Sequence, residues 1–259
     1  MSLAGFTEHP FTHDGKTRTV FRKGAGPGVV IMHEIPGITP EVQRFAERVA
    51  DAGFTVFMPH LFGTPGKKFS NAYAVSQMAR ACISREFSVL ASRGSSPICD
   101  WLRALCRHAH TELGGKGVGA IGMCLTGNFA LALMVDDAVM APVLSQPSLP
   151  FPLGKERRSA LHLSDDDLCI VKRRAVAGVG VIGLRFSHDP LCPQERFDRL
   201  QSELGDAFEP IVLDSSPGNP HGHARAAHSV LTKDLIDKEG QPTRAALDRV
   251  ITFLSERLR

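Results

Sequence analysis

The sequence predicts an α/β protein built on a mainly parallel, doubly wound sheet with helices on both faces. Three observations carry that prediction. From about Gly28 onward, short apolar runs alternate with amphipathic stretches, the pattern of successive βαβ units. Several amphipathic stretches open on recognisable capping residues. The 259 residues are 43% hydrophobic and 22% charged, a balance that allows a large buried core and excludes disordered, collagenous and fibrous classes. No internal repeat, low-complexity tract or charge block marks a linker, so a single domain over residues 1–259 is expected.

The elements follow in order. Gly28 to Met32 is the first clear strand. Thr39-Pro40-Glu41 supplies a capping hydroxyl, a proline at the first helical position and an acid in the first turn, and opens a helix over Val42 to Ala52 that Gly53 ends. Phe54 to Met58 is a buried strand, followed by a Pro- and Gly-rich loop from Pro59 to Gly66. Ser70 to Arg93 is helical in part. Ser95-Ser96-Pro97 is expected to cap a helix from Ile98 to about His108. Gly117 to Met123 is a strand, Leu125 to Val135 a helix, and Val139 to Leu144 a strand despite Pro142, a residue that central strands seldom hold. Ser164 followed by Asp165, Asp166 and Asp167 starts another helix. Val179 to Phe186 and Glu209 to Leu213 are the last strands, and Thr243 to Leu258 carries a helical apolar stripe at Ala246, Leu247, Val250, Phe253 and Leu254.

Composition also limits function. Lys plus Arg number 30 against 27 Asp plus Glu, a net charge of +3, which is too small for the electrostatic footprint of a nucleic-acid binder. No window approaches the roughly 18 uninterrupted apolar residues of a membrane span, and the polar N-terminal stretch lacks the apolar run of a signal peptide. Neither a nucleic-acid partner nor a membrane one is expected. Cys82, Cys99, Cys106, Cys124, Cys169 and Cys192 show no CxxC spacing and read as reduced thiols of a cytoplasmic protein.

The chemistry concentrates in Gly119-Ala120-Ile121-Gly122-Met123-Cys124-Leu125-Thr126-Gly127-Asn128. A short apolar strand runs into Gly-x-Cys-x-x-Gly and a helical pattern begins at once, the layout of a nucleophile elbow. Such a turn holds the nucleophile clear of the sheet, and the helix start favours an anion there. A thiol so placed ionises more readily; the alternative is that Cys124 is a small buried hydrophobe. Gly117, Gly119 and Gly122 also match GxGxxG, but these glycines lie within the strand rather than after it, so no dinucleotide and no other cofactor is expected.

An elbow nucleophile needs a base, and the base an orienting acid, in chain order nucleophile, acid, histidine. Asp189 follows the strand ending at Phe186 and so lies at the carboxyl edge of the sheet, where open α/β folds bind ligands. The loop after Leu213 carries His221, His223 and His228, one of which is the candidate base. His221 and His223 could instead form a metal pair, but no carboxylate or Cys cluster stands beside them at ligand spacing, so no metal is expected.

On these residues the chain resembles the dienelactone hydrolase family of the α/β-hydrolase superfamily, from roughly Gly28 to Leu258. Gly122-Met123-Cys124-Leu125-Thr126-Gly127 is similar to the family's Gly-x-Cys-x-Gly-Gly, with Thr126 where the family has Gly. Val29 to Ile38 is similar to the family's first-strand motif and places Glu34 at the position whose carboxylate communicates with the nucleophile. The resemblance implies an α/β-hydrolase fold and an oxyanion hole from the backbone N–H groups of Ile35 and Leu125. His228-Ser229-Val230 is similar to the family's His-Ser-Phe and favours His228, while Gly222-His223 has the Gly-His look common in α/β-hydrolases and keeps His223 open. Arg85 matches one of the arginines that grip a substrate carboxylate. The second arginine position falls on Thr232, which implies a substrate other than a dienelactone carboxylate. The resulting expectation is a hydrolase that opens a small-molecule ester or lactone by a Cys-His-Asp triad through an acyl-enzyme. The alternative is a non-catalytic protein of the same fold that binds a small ligand. Oligomeric state is left open.

Overall fold

The computed structural model of the chain describes residues 3–87, 94 and 96–259. Eight strands form one sheet. They are β1 (Thr7–His13), β2 (Lys16–Gly24), β3 (Gly28–Met32), β4 (Thr55–Pro59), β5 (Val118–Met123), β6 (Val139–Ser145), β7 (Val181–Phe186) and β8 (Phe208–Leu213), in spatial order β1-β2-β4-β3-β5-β6-β7-β8. β1, β2 and β4 pair antiparallel, and every pair from β4 through β8 is parallel. The alternation of β3 shows why two helix layers are needed. Val30 and Met32 face one core, Val29 and Ile31 the other, because successive strand residues point to opposite faces.

The face shared by Val29 and Ile31 is covered by α1 (Pro40–Asp51) and α8 (Pro242–Leu258) through Phe45, Val49, Val250 and Leu254. α1 begins as its sequence requires, with the Thr39 hydroxyl accepting from the Val42 N–H at 3.4 Å. The opposite face is covered by α3 (Ile98–Leu113), α4 (Gly127–Leu133), α6 (Asp165–Val176) and α7 (Gln194–Leu204), through Leu102, Phe129, Val171 and Phe197. α2 (Asn71–Ile83) and the short α5 (Lys155–Ser159) complete the helices among the described residues. None of these helices is long and apolar enough to cross a membrane.

Several expectations are corrected. The hairpin of β1 and β2 precedes Gly28 and is hidden in the sequence because β1 is mostly exposed and both strands are mostly polar, with only Val20 and Phe21 buried, so no apolar run announces it. Its signal is Asp14-Gly15, both at positive φ, the two-residue turn that matches strand twist. α3 starts at Ile98 as expected but has Pro97 at its cap and no side-chain cap bond; the Ser96 hydroxyl instead lies 2.7 Å from His162 Nε2, and Ser95 is outside the described residues. The helix after Cys124 is a 3-10 turn, Cys124–Thr126, followed by α4. α5 and α7 had no counterpart in the sequence reading. Pro142 stands opposite Ala120 of β5, but β6 pairs with β7 only from Val143 to Ser145, so the proline has no ladder partner on the β7 side.

Candidate active site

The carboxyl ends of four parallel strands and the loop after the fifth converge on one place. Cys124 leaves β5 at a φ of +54°, left-handed backbone that a residue with a Cβ adopts only when its surroundings impose it. Two glycines make the turn feasible. A Cβ on Gly122 would lie 2.1 Å from the Thr126 carbonyl oxygen, and one on Gly127 would lie 2.4 Å from the Pro147 Cα, distances that no side chain can satisfy. Thr126, the departure from the family pattern, has a structural role: its hydroxyl accepts from the Met123 N–H at 2.9 Å and lies 2.9 Å from the Met32 carbonyl. One hydroxyl thus ties the elbow to the end of β3.

Asp189 follows β7 and His228 lies in the loop between β8 and α8. Asp189 Oδ2 accepts from His228 Nδ1 at 2.7 Å, while Oδ1 accepts from the Leu191 N–H at 2.9 Å. The backbone N–H groups of His228 and Ser229 both donate to Asp234 Oδ2, at 2.8 and 2.9 Å. On the far side of the ring, Nε2 is buried without a regular hydrogen bond and the ring's electrostatic partner is Cys124. Burial alone would push the His228 imidazole down. Its interaction with Cys124 and the Asp189 hydrogen bond outweigh it and hold the imidazole well above its ordinary 6.5. Cys124 itself is 4% exposed.

His223 does not join this pair. Its ring packs 5.1 Å from Phe186, centroid to centroid, and burial followed by the nearby His221 pushes its pKa down. Its backbone is held by Asn219, which accepts from the His223 N–H at 3.0 Å. The rings of His221 and His223 are 6.3 Å apart, and among the described residues no group of three or more His, Cys, Asp or Glu is placed to hold a metal ion.

Glu34 is buried just past β3, and its described partners are not the thiol. Oε2 accepts from Ser229 Oγ at 2.7 Å and from Gln146 Nε2 at 3.2 Å, and Oε1 accepts from the Thr232 hydroxyl. Burial pushes its pKa up, and the Thr232 and Ser229 hydroxyls offset that in part. Ile35 and Leu125 pack in the same core as Cys124. Arg85 is exposed in the turn after α2. Two buried residues were missed by sequence reasoning. His33 Nε2 accepts from the Leu61 N–H at 3.1 Å and Nδ1 faces the Glu34 carbonyl at 3.2 Å; a histidine closing an apolar strand was its only signal. Gln146 had none beyond its place at the end of β6.

Comparison with known proteins bears on the family and the fold. The family model for the dienelactone hydrolase family matches residues 16–258. A Saccharomyces cerevisiae protein provisionally named a carboxymethylenebutenolidase is 28% identical over 124 residues, covering 44% of this chain and 40% of its own length. The chain thus spans well under half of that relative. Among solved structures, one provisionally named a dienelactone hydrolase from Klebsiella pneumoniae superposes with a TM-score of 0.64 at 17% identity, covering 97% of this chain and 98% of its own. A dienelactone hydrolase-like promiscuous phosphotriesterase from metagenomic libraries gives 0.63 at 17%, covering 98% of each. The dienelactone hydrolase of Anabaena variabilis gives 0.61 at 12%, covering 98% and 100%. At these identities the superpositions speak for the fold alone. The family match takes in every strand from β2 to β8 together with Cys124, Asp189 and His228, and by it this chain belongs to the dienelactone hydrolase family, hydrolases built on the α/β-hydrolase fold.

Proposed function

We propose that the protein cleaves an ester or lactone of a small molecule with Cys124 as nucleophile. The observation that carries this reading is the buried imidazole of His228, bonded to Asp189 through Nδ1 and electrostatically coupled to Cys124 on its other side. In the proposed reaction the Cys124 thiolate attacks the substrate carbonyl, and the N–H groups of Ile35 and Leu125 receive the oxyanion. The imidazolium of His228 protonates the departing alkoxide, leaving a thioester on Cys124. His228 then takes a proton from water, whose attack releases the acid and restores the thiol pair, while Asp189 keeps the ring in one tautomer.

The substrate class follows from Thr232. Its hydroxyl is committed to Glu34, and no cation stands at that position to meet a substrate carboxylate. Neutral esters and lactones are therefore the proposed substrates. Cys124→Ala is expected to abolish hydrolysis of p-nitrophenyl acetate with an unchanged far-UV circular dichroism spectrum, and the wild-type protein to favour that ester over one bearing a free carboxylate. Undiminished turnover in Cys124→Ala refutes the assignment.

A further inference from the structure

Gln146 lies one residue past the end of β6, fully buried, with a φ of +34°. A residue with a Cβ keeps left-handed backbone only where its surroundings over-determine it, and such positions cluster at functional sites. Both backbone groups are held: its N–H donates to the Leu184 carbonyl at 2.7 Å and its carbonyl accepts from Ser148 Oγ at 3.0 Å. Ser148 in turn donates its N–H to the Cys124 carbonyl at 3.0 Å, so the strained turn is linked to the nucleophile turn.

The side chain reaches the other way. Oε1 accepts from the Val230 N–H at 3.3 Å and from the Ser145 hydroxyl, and Nε2 donates to Glu34 Oε2 at 3.2 Å. Reversing the amide would set its NH2 group against the Val230 N–H, so the network fixes its orientation. The segment after His228 is then gripped at successive points. Ser229 and Thr232 donate to Glu34, and Val230 donates to Gln146. An apolar residue would fill this space at lower desolvation cost; Gln146, donating to Glu34 and accepting from Val230, adds to the direct Glu34 bonds a link from the end of β6 to the loop bearing His228.

We infer that Gln146 is a positioning residue of the site, acting through Glu34 and residues 229–232 to hold His228 against Cys124. The inference rests on the hydrolytic reading for its consequence in turnover, but its structural core can be read without turnover. His228 faces Cys124 from the nucleophile turn, Asp189 from the loop after β7, Glu34 from the loop after β3 and Asp234 from its own loop. The test follows the His228 ring resonance by NMR against pH in wild type, Gln146→Met and Gln146→Glu, beside the kcat and KM for p-nitrophenyl acetate.

In Gln146→Met all three side-chain bonds are lost at similar volume. The His228 titration is expected to move down toward 6.5, by roughly half a pH unit or more, with kcat lower by about 10- to 100-fold and KM little changed. Gln146→Glu, which decides the matter if the methionine variant does not fold, keeps the acceptor for Val230 and Ser145 but sets a second carboxylate against Glu34. The two must share a proton, so activity survives in acid and is lost at a lower pH than in wild type as pH rises and that proton leaves. A folded Gln146→Met with an unmoved His228 titration, whatever its kcat, or a Gln146→Glu profile parallel to wild type, overturns the inference. Absence of ester turnover in the wild type would remove the hydrolytic reading alone, because the titrations still report on positioning.

Discussion

Cys124, with Gly122 and Gly127, shows how little freedom the turn after β5 has. Its left-handed backbone is tolerated because Gly122 and Gly127 allow the Thr126 carbonyl and Pro147 to approach closer than any Cβ permits. Gly127→Ala is expected to destabilise the protein by about 1–3 kcal/mol, the cost of overpacking against backbone that cannot move aside, and to lower kcat by displacing the turn. Urea unfolding beside steady-state kinetics measures both, and an unchanged midpoint would contradict the packing argument. The other buried thiols have a different environment. Burial pushes Cys99 and Cys192 up to about 12, so they remain protonated and unreactive across the physiological range.

α7 acts at the scale of an element as a clamp beside the site. Arg196 is fully buried, and its guanidinium donates to four carbonyls: Pro147 at 2.6 Å, Pro150 at 2.7 Å, Arg157 at 2.8 Å and Ala160 at 3.0 Å. Burial draws its pKa down to about 10, which leaves it charged at neutral pH. On β7, Arg185 does the same for the loop bearing Asp189, donating to Ser187, Cys192 and Gln194. Arg196→Met removes every donor at once and strands carbonyls at roughly 1–3 kcal/mol each where water cannot reach them. The expected outcome is a loss of about 3 kcal/mol or more in urea unfolding, with faster amide hydrogen exchange concentrated at residues 147–160. Arg196→Lys should not restore it, because an ammonium lacks the planar fork that reaches separated acceptors. Uniformly faster exchange across the sheet would argue against a local clamp.

At the scale of the whole molecule, buried titratable groups set the response to acid. Burial pushes His33 down to about 3, with its hydrogen bond to the Glu34 carbonyl opposing in part. In the unfolded chain the same ring takes a proton below about 6.5. Between those values the unfolded state binds the extra proton, so the stability supplied by a neutral His33 is complete above 6.5 and is lost as pH falls toward 3. The slope from this one residue is at most about 1.4 kcal/mol per pH unit. Unfolding free energies at a series of pH values should therefore fall less steeply in His33→Asn than in wild type; equal slopes would show that the ring does not carry the effect.

What the sequence determined by itself was whatever depends on near neighbours along the chain. β3 through β8 were legible because each is a short apolar run between capping or turn residues, and the sharp turn after β5 because Gly122, Cys124 and Gly127 must stand at fixed offsets for the backbone to bend there. Asp189 and His228 were narrowed by chain order, but His223 stayed open because loop spacing does not say which imidazole swings toward the acid. Tertiary structure decided that His228 takes the Asp189 hydrogen bond while His223 packs on Phe186. It also decided that Glu34 meets Thr232, 198 positions away, and Gln146, 112 positions away. Those bonds form between side chains that only the closed sheet brings together, and a buried hydrogen bond leaves no periodicity in sequence, because what selects its partners is the low-polarity space they share.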